Sequence, residues 1–199
     1  MEVTAACYIV ILQVKKISFI KGLIDMNKNW LPSLCTLLNL GAGTLSLLFT
    51  IKGEYKLALA MVMTAALWDV LDGLLARWLH CMSDFGKQLD SLADLVSFGI
   101  APVFLVLLYK LEGSLWLGPI AAVLFLACGA LRLARFNIHG QVKGFVGLPI
   151  TAAGVILALA PILNSQMKPA AALTLMGLLS VLMVSRIPFP AFKKDYARK

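Results

Sequence analysis

The stretch Asp69–Asp94, DVLDGLLARWLHCMSDFGKQLDSLAD, decides how the chain must be read. It sets four carboxylates, Asp69, Asp72, Asp90 and Asp94, inside or at the edge of segments otherwise apolar enough to lie in a bilayer. One aspartate at the centre of a membrane helix costs about 2.5–3.5 kcal/mol, so four left unaided would cost on the order of 10 kcal/mol. Bound cations offset such a cost. On helices Asp69 and Asp72 stand at i and i+3, and Asp90 and Asp94 at i and i+4, so each pair points to one face. Two such helices packed side by side bring four carboxylates together. Gly73 and Ala76 keep the same face small enough for a backbone or a ligand to approach, and Arg77 closes the segment with a fixed positive charge. The bland alternative is a set of acids that snorkel at helix ends and bind nothing.

The surroundings of this stretch are those of a membrane protein. Of 199 residues, 60% are hydrophobic and 14% charged, with a mean hydropathy of +0.88. Runs of the roughly 20 apolar residues needed to cross a bilayer recur along the chain. The expected fold is therefore an all-α polytopic membrane domain over residues 31–190 with six transmembrane helices. Their expected places are about 33–51, 55–79, 88–110, 115–137, 147–164 and 170–187. The breaks fall at Lys52-Gly53-Glu54, near Gly86, at Gly113 or Ser114, at Gly140 to Gly144 and at Lys168-Pro169. An N-terminal juxtamembrane segment, 1–30, precedes this domain and a basic tail, 191–199, follows it. The apolar run Ala5 to Val14 is too short to span, and its charge order, Glu2 before and Lys15-Lys16 after, reverses that of a secretory signal. Met26 offers a compact alternative start, MNKNWLPS.

Charge fixes the expected orientation. With both termini on one side of the membrane, that side holds 14 of the 18 Lys and Arg residues and the other side 4. The bias places both termini and the acidic stretch in the cytoplasm, in a protein of the cell membrane. The net charge of +8 then reflects cytoplasmic loops and contact with anionic membrane lipids, and no nucleic-acid partner is inferred from it. Cys7, Cys35, Cys81 and Cys128 form no CxxC pair and adjoin no histidine cluster, which points to small core residues rather than a zinc site or disulfides. His80 and His139 are not expected to be ligands. Trp68, Trp78 and Trp116 near span ends are expected interfacial aromatics.

Small and polar residues continue the two acidic faces. Ala58, Ala65, Asp69, Asp72 and Ala76 share one stripe of the second span, and Gly86, Asp90, Asp94, Ser97 and Ala101 share one of the third. The two stripes suit opposite walls of one cavity. Sites of three or four carboxylates suit hard divalent cations such as Mg2+ or Mn2+, which also bind phosphate oxygens. Two such ions can polarise a phosphoryl group, and a carboxylate left partly free of them can take the proton of an incoming hydroxyl. Asp94, the last of the four, is the natural base. Metal-assisted phosphoryl transfer at the cytoplasmic face, on a substrate that can itself be lipid, is the chemistry these residues suit.

The pattern Asp69-x-x-Asp72-Gly73-x-x-Ala76-Arg77, eight residues, Gly86, three residues, Asp90, three residues, Asp94 matches in full the signature of the CDP-alcohol phosphatidyltransferase family. The resemblance implies a six-helix membrane domain, usually a homodimer, that displaces CMP from a CDP-linked lipid by an alcohol hydroxyl. It implies that Asp69, Asp72 and Asp90 hold two divalent ions, that Asp94 shares in that site and acts as general base, and that Gly73, Arg77 and Ser83, with Ala76 and Gly86 of the signature, form the CDP-lipid surface. From Pro32 onward the chain also resembles the membrane-integral branch of the family that uses L-serine. The residues carrying that likeness are LDSLADLVSFGIAP, RLARFN at Arg132 to Asn137, FVGLP at Phe145 to Pro149, and SRIPFPAFK. Ser33 and Thr151 stand where such enzymes often carry Asn and Pro. CDP-diacylglycerol and L-serine are then the implied substrates, with Arg132, Arg135, Asn137 and Lys143 as groups for the acceptor or a phosphate. For these arginines the alternative is that they set topology and anchor to headgroups.

Two rival readings follow from the same residues. A sister enzyme would pass the same group to glycerol 3-phosphate or an inositol phosphate, and Arg132, Arg135 and Lys143 could serve either case. A cation transporter would line a path with acids, but here they are confined to expected cytoplasmic ends and spans four to six carry none.

Overall fold

The computed structural model describes residues 32–78, 83–113, 116–139 and 147–185, and every regular element among them is helical. Six helices follow one another. They are α1 (Pro32–Ile51), α2 (Tyr55–Trp78), α3 (Asp84–Lys110), α4 (Leu117–His139), α5 (Ile150–Leu163) and α6 (Pro169–Val184). Helices α1 to α4 are long and apolar enough to cross a membrane. The 14 residues of α5 and 16 of α6 rise only about 21 and 24 Å, less than a hydrocarbon core of about 30 Å. The protein is thus an all-helical membrane protein with four helices of spanning length among the described residues. The segment 1–30 with Met26, the tail 191–199, His80 and Lys143 lie outside the described residues.

Packing follows the apolar composition. Helix α4 lies along α6, while α5 packs on α3 and on α2. Phe98, Phe125, Leu105, Ile150, Leu157 and Met176 are fully enclosed between them. Outward faces remain apolar: Ile51, Leu67, Val123 and Val181 are each about two-thirds exposed, which suits acyl chains and not water. Trp78 and Trp116 are exposed near helix ends, as expected of interfacial aromatics.

Two helix starts differ from expectation for local reasons. Helix α3 begins at Asp84, four residues early, because the extended Ser83 caps it by accepting from Gly86 N at 3.0 Å. Helix α5 begins at Ile150 because Gly147 takes φ +84° and Pro149 holds an extended ψ of 141° just before it. A further departure is internal to α3. Residues Leu95–Ile100 form a π-helical turn, which no spacing in the sequence announces.

That turn is where the bundle is tightest. A methyl group on Gly43 of α1 would stand 2.7 Å from Ser97 Cα, and one on Gly154 of α5 would stand 2.7 Å from Phe98 Cα. Backbone therefore meets backbone on both sides of the turn, directly after Asp94. We expect Gly154→Ala to cost about 1–3 kcal/mol, since neither main chain can yield to the added methyl. A thermal melt in detergent reads this, and an unchanged Tm would show that α5 has slack at this contact.

Candidate active site

Helices α2 and α3 deliver the four aspartates to one place. One carboxylate oxygen from each of Asp69, Asp72 and Asp90 lies within 4.8 Å of the others. Bonds of about 2.0–2.6 Å to a hard divalent cation set opposite oxygens about 4.0–5.2 Å apart, so all three can reach one ion. Asp94 completes the group from a turn deeper in α3, its carboxylate beside that of Asp69. Asp72 and Asp94 are 6% and 7% exposed, and Asp90 Oδ1 is enclosed with no hydrogen-bond partner. Among the described residues no Lys or Arg forms a salt bridge with any of the four, the ion pair there being the surface contact Lys87–Asp84 at 3.2 Å. Buried acids crowded in this way, with an oxygen left unpaired, fit a divalent cation as their missing partner.

A cavity of 210 Å3 opens beside the cluster. Asp69, Asp90 and Asp94 form one side, while Arg132, Asn137 and Thr151 from α4 and α5 form the other. Arg132 is half-buried and its Nε is enclosed without a partner. Asn137 Nδ2 donates to Ser91 Oγ at 3.0 Å, tying α4 to α3 across the cavity wall. The arrangement offers an acidic side able to take a divalent cation and a cationic, hydrogen-bonding side within one small space. A substrate carrying both an anionic group and a reactive hydroxyl could be held across it.

The remaining expected residues fall in several places. Ala76 is half-buried on α2, and the space beside Gly73 is open, a methyl there meeting only Arg77 Nη2 at 3.6 Å. Arg77 is exposed and folds back along its helix, Nε donating to Gly73 O at 2.8 Å. Ser83 and Gly86 form the α3 cap, so a structural duty accompanies whatever contact they make with ligand. Arg135 is exposed and does not line the cavity.

Several residues of the site escaped the sequence reading. Thr36 Oγ1 donates to Asp72 Oδ2 at 2.9 Å, and Asn39 Nδ2 donates to Asp94 Oδ1 at 3.4 Å, both from α1. A signal was available: Thr36, Asn39, Gly43, Ser46 and Thr50 recur every three or four residues in a leucine-rich helix, and all are buried. Ser91 and Lys87, which also line the cavity, carried no comparable signal.

The chain is also similar to known proteins. A family model described as CDP-alcohol phosphatidyltransferase matches residues 29–188. The chain is 38% identical over 171 residues to a CDP-diacylglycerol–serine O-phosphatidyltransferase of Bacillus subtilis, covering 85% of this chain and 94% of that protein. It is 40% identical over 158 residues to the protein of the same name from Methanocaldococcus jannaschii, covering 79% and 72%. It is also similar, at 37% over 163 residues, to an archaetidylserine synthase of Methanothermobacter thermautotrophicus, covering 80% and 69%.

Proposed function

The chain belongs to the CDP-alcohol phosphatidyltransferase family, and on that premise we propose that it transfers the phosphatidyl group of CDP-diacylglycerol to the hydroxyl of L-serine, giving phosphatidylserine and CMP. The observation that carries the reading is the meeting of Asp69, Asp72 and Asp90 within 4.8 Å, beside a cavity that Asp94 and Arg132 share. The names of the relatives support serine as the acceptor.

Each residue then has a task. Asp69, Asp72 and Asp90, with Asp94 sharing, hold two divalent ions, Mg2+ or Mn2+. Such ions would supply Lewis-acid stabilisation of the phosphoryl oxygens and of the charge on departing CMP. Gly73 and Ala76 leave room for the CDP group along α2, and Arg77, Ser83 and Gly86 flank it. Arg132 and Asn137, which line the cavity, with Lys143, receive the serine carboxylate or a lipid phosphate and so turn the serine hydroxyl toward Asp94, while Arg135, outside the cavity, is left to membrane headgroups. Asp94 accepts the hydroxyl proton as the new bond from serine oxygen to phosphorus forms and the bond from phosphorus to the CMP oxygen breaks. Water competes for the same phosphorus, so the cavity must position serine well enough to limit hydrolysis.

The same reading extends to the whole chain. Six helices cross the membrane, α5 and α6 with help from flanking residues, in a domain of residues 31–190 between a juxtamembrane segment, 1–30, and a basic tail, 191–199. Both termini and the acidic cluster face the cytoplasm, as the 14 to 4 distribution of Lys and Arg favours. The working unit is a homodimer.

Membranes containing the protein, supplied with CDP-diacylglycerol, Mn2+ and one alcohol at a time, test the proposal. CMP release and a new phospholipid are expected with L-serine and not with glycerol 3-phosphate or an inositol phosphate. A product from glycerol 3-phosphate in place of serine would overturn the acceptor, and an absence of CMP release with every alcohol would overturn the chemistry.

A further inference from the structure

Asn39 sits in the middle of α1 with none of its surface exposed. Its side chain makes one hydrogen bond, from Nδ2 to Asp94 Oδ1 at 3.4 Å, and its own Oδ1 is enclosed with no partner. Its backbone carbonyl accepts from Ser97 Oγ at 3.0 Å, which pins α1 to the π turn that follows Asp94. Gly43, one turn on, lets the two backbones close to that distance. An amide buried with most of its capacity unmet weakens packing, and a leucine of similar size would fill the space without that penalty. The one directed interaction the amide provides is with Asp94.

A carboxylate needs such a partner if its orientation is to matter. Rotation about the terminal bond of an aspartate is soft and broad, so α3 fixes where Asp94 stands but not how its plane is turned. Its other close neighbour, Asp69, is a second acid and offers no fixed N–H. Among the described residues Asn39 is the amide donor on Asp94. We infer that Asn39 is a positioning residue: by holding Asp94 Oδ1 from the α1 side it turns Oδ2 toward the cavity, where the acceptor hydroxyl must arrive. Thr36 holds Asp72 in the same manner one turn earlier, so α1, which carries no acid, braces an aspartate on each of the acid-bearing helices. This rests on the role given above to Asp94.

The test uses the full chain in detergent, with Asn39→Leu, Asn39→Ala and Asp94→Asn compared at saturating Mn2+. Removal of an orienting partner lowers turnover by about 10- to 100-fold. That fall is expected in kcat for both Asn39 variants, with KM for CDP-diacylglycerol and for serine within about threefold of the parent. The Tm of Asn39→Leu, measured with chelator present, should be no lower than that of the parent, which a purely structural role would not allow. A folded Asn39 variant that keeps kcat within twofold would overturn the inference, as would failure of both apolar variants to fold, or a parallel loss of lipid affinity. If Asp94→Asn itself keeps its turnover, the fault lies with the base assignment, and the inference falls with it.

Discussion

Replacing Asp94 with asparagine is expected to lower turnover by about 100- to 10,000-fold, the range a positioned proton acceptor contributes. Asparagine has the size and shape of aspartate, so a side chain 7% exposed keeps its packing against α1 and α2. Asp69, Asp72 and Asp90 remain within 4.8 Å of one another, so the ions proposed to anchor the CDP-lipid should still bind. What disappears is the oxygen able to take the serine proton. CMP release should therefore collapse while binding of CDP-diacylglycerol, followed by its protection of the protein against heat, stays measurable. Turnover within tenfold of the parent would remove Asp94 from the base role. Equal loss of turnover and lipid binding would mean that it serves only to hold metal.

Asp69→Asn should fail in a different way. This side chain belongs to the trio that can meet one ion and also touches Asp94, so its loss reduces the charge of the site where every ligand is counted. Affinity of an oxygen site for a hard cation follows its carboxylate count, and the Mn2+ concentration giving half-maximal activity should rise by about tenfold or more. Stability provides an independent reading. Saturating the parent at about 100 times its Kd should stabilise it by about 2.7 kcal/mol, a gain that chelator removes. The variant should show little of that gain. In chelator it should melt no lower than the parent, since one member of a mutually repelling group is gone. An unchanged Mn2+ response in both assays would show that Asp69 is not a ligand.

Comparison of the two substitutions separates holding an ion from moving a proton, tasks that look alike in a row of four aspartates. Both belong to one turn-by-turn pattern, yet they occupy unlike surroundings. Asp69 belongs to the trio that can meet one ion, whereas Asp94 lies deeper, against Asn39 and in sight of Arg132. Depth and neighbours, rather than residue type, set the two apart.

Much of this was legible before any coordinates. The cost of acids in oil and the spacings of three and four residues along a helix depend only on local geometry, so the aspartates and their shared faces could be read from Asp69 to Asp94, and the membrane class from the apolar runs around them. The burial of Ala58 and Ala65 beside Asp72 on α2 follows from the same stripe. What lies between helices was not legible. The reach of Thr36 to Asp72 and of Asn39 to Asp94, the pairing of Ser91 with Asn137, and the exposure of Arg135 while Arg132 turns inward each depend on how one cylinder rotates and slides against another. The π turn at Leu95–Ile100 shifts that rotation within α3, and the close seats of Gly43 and Gly154 fix it. A helix carries its own periodicity in its sequence, but its partner and its depth are settled only when the whole bundle packs.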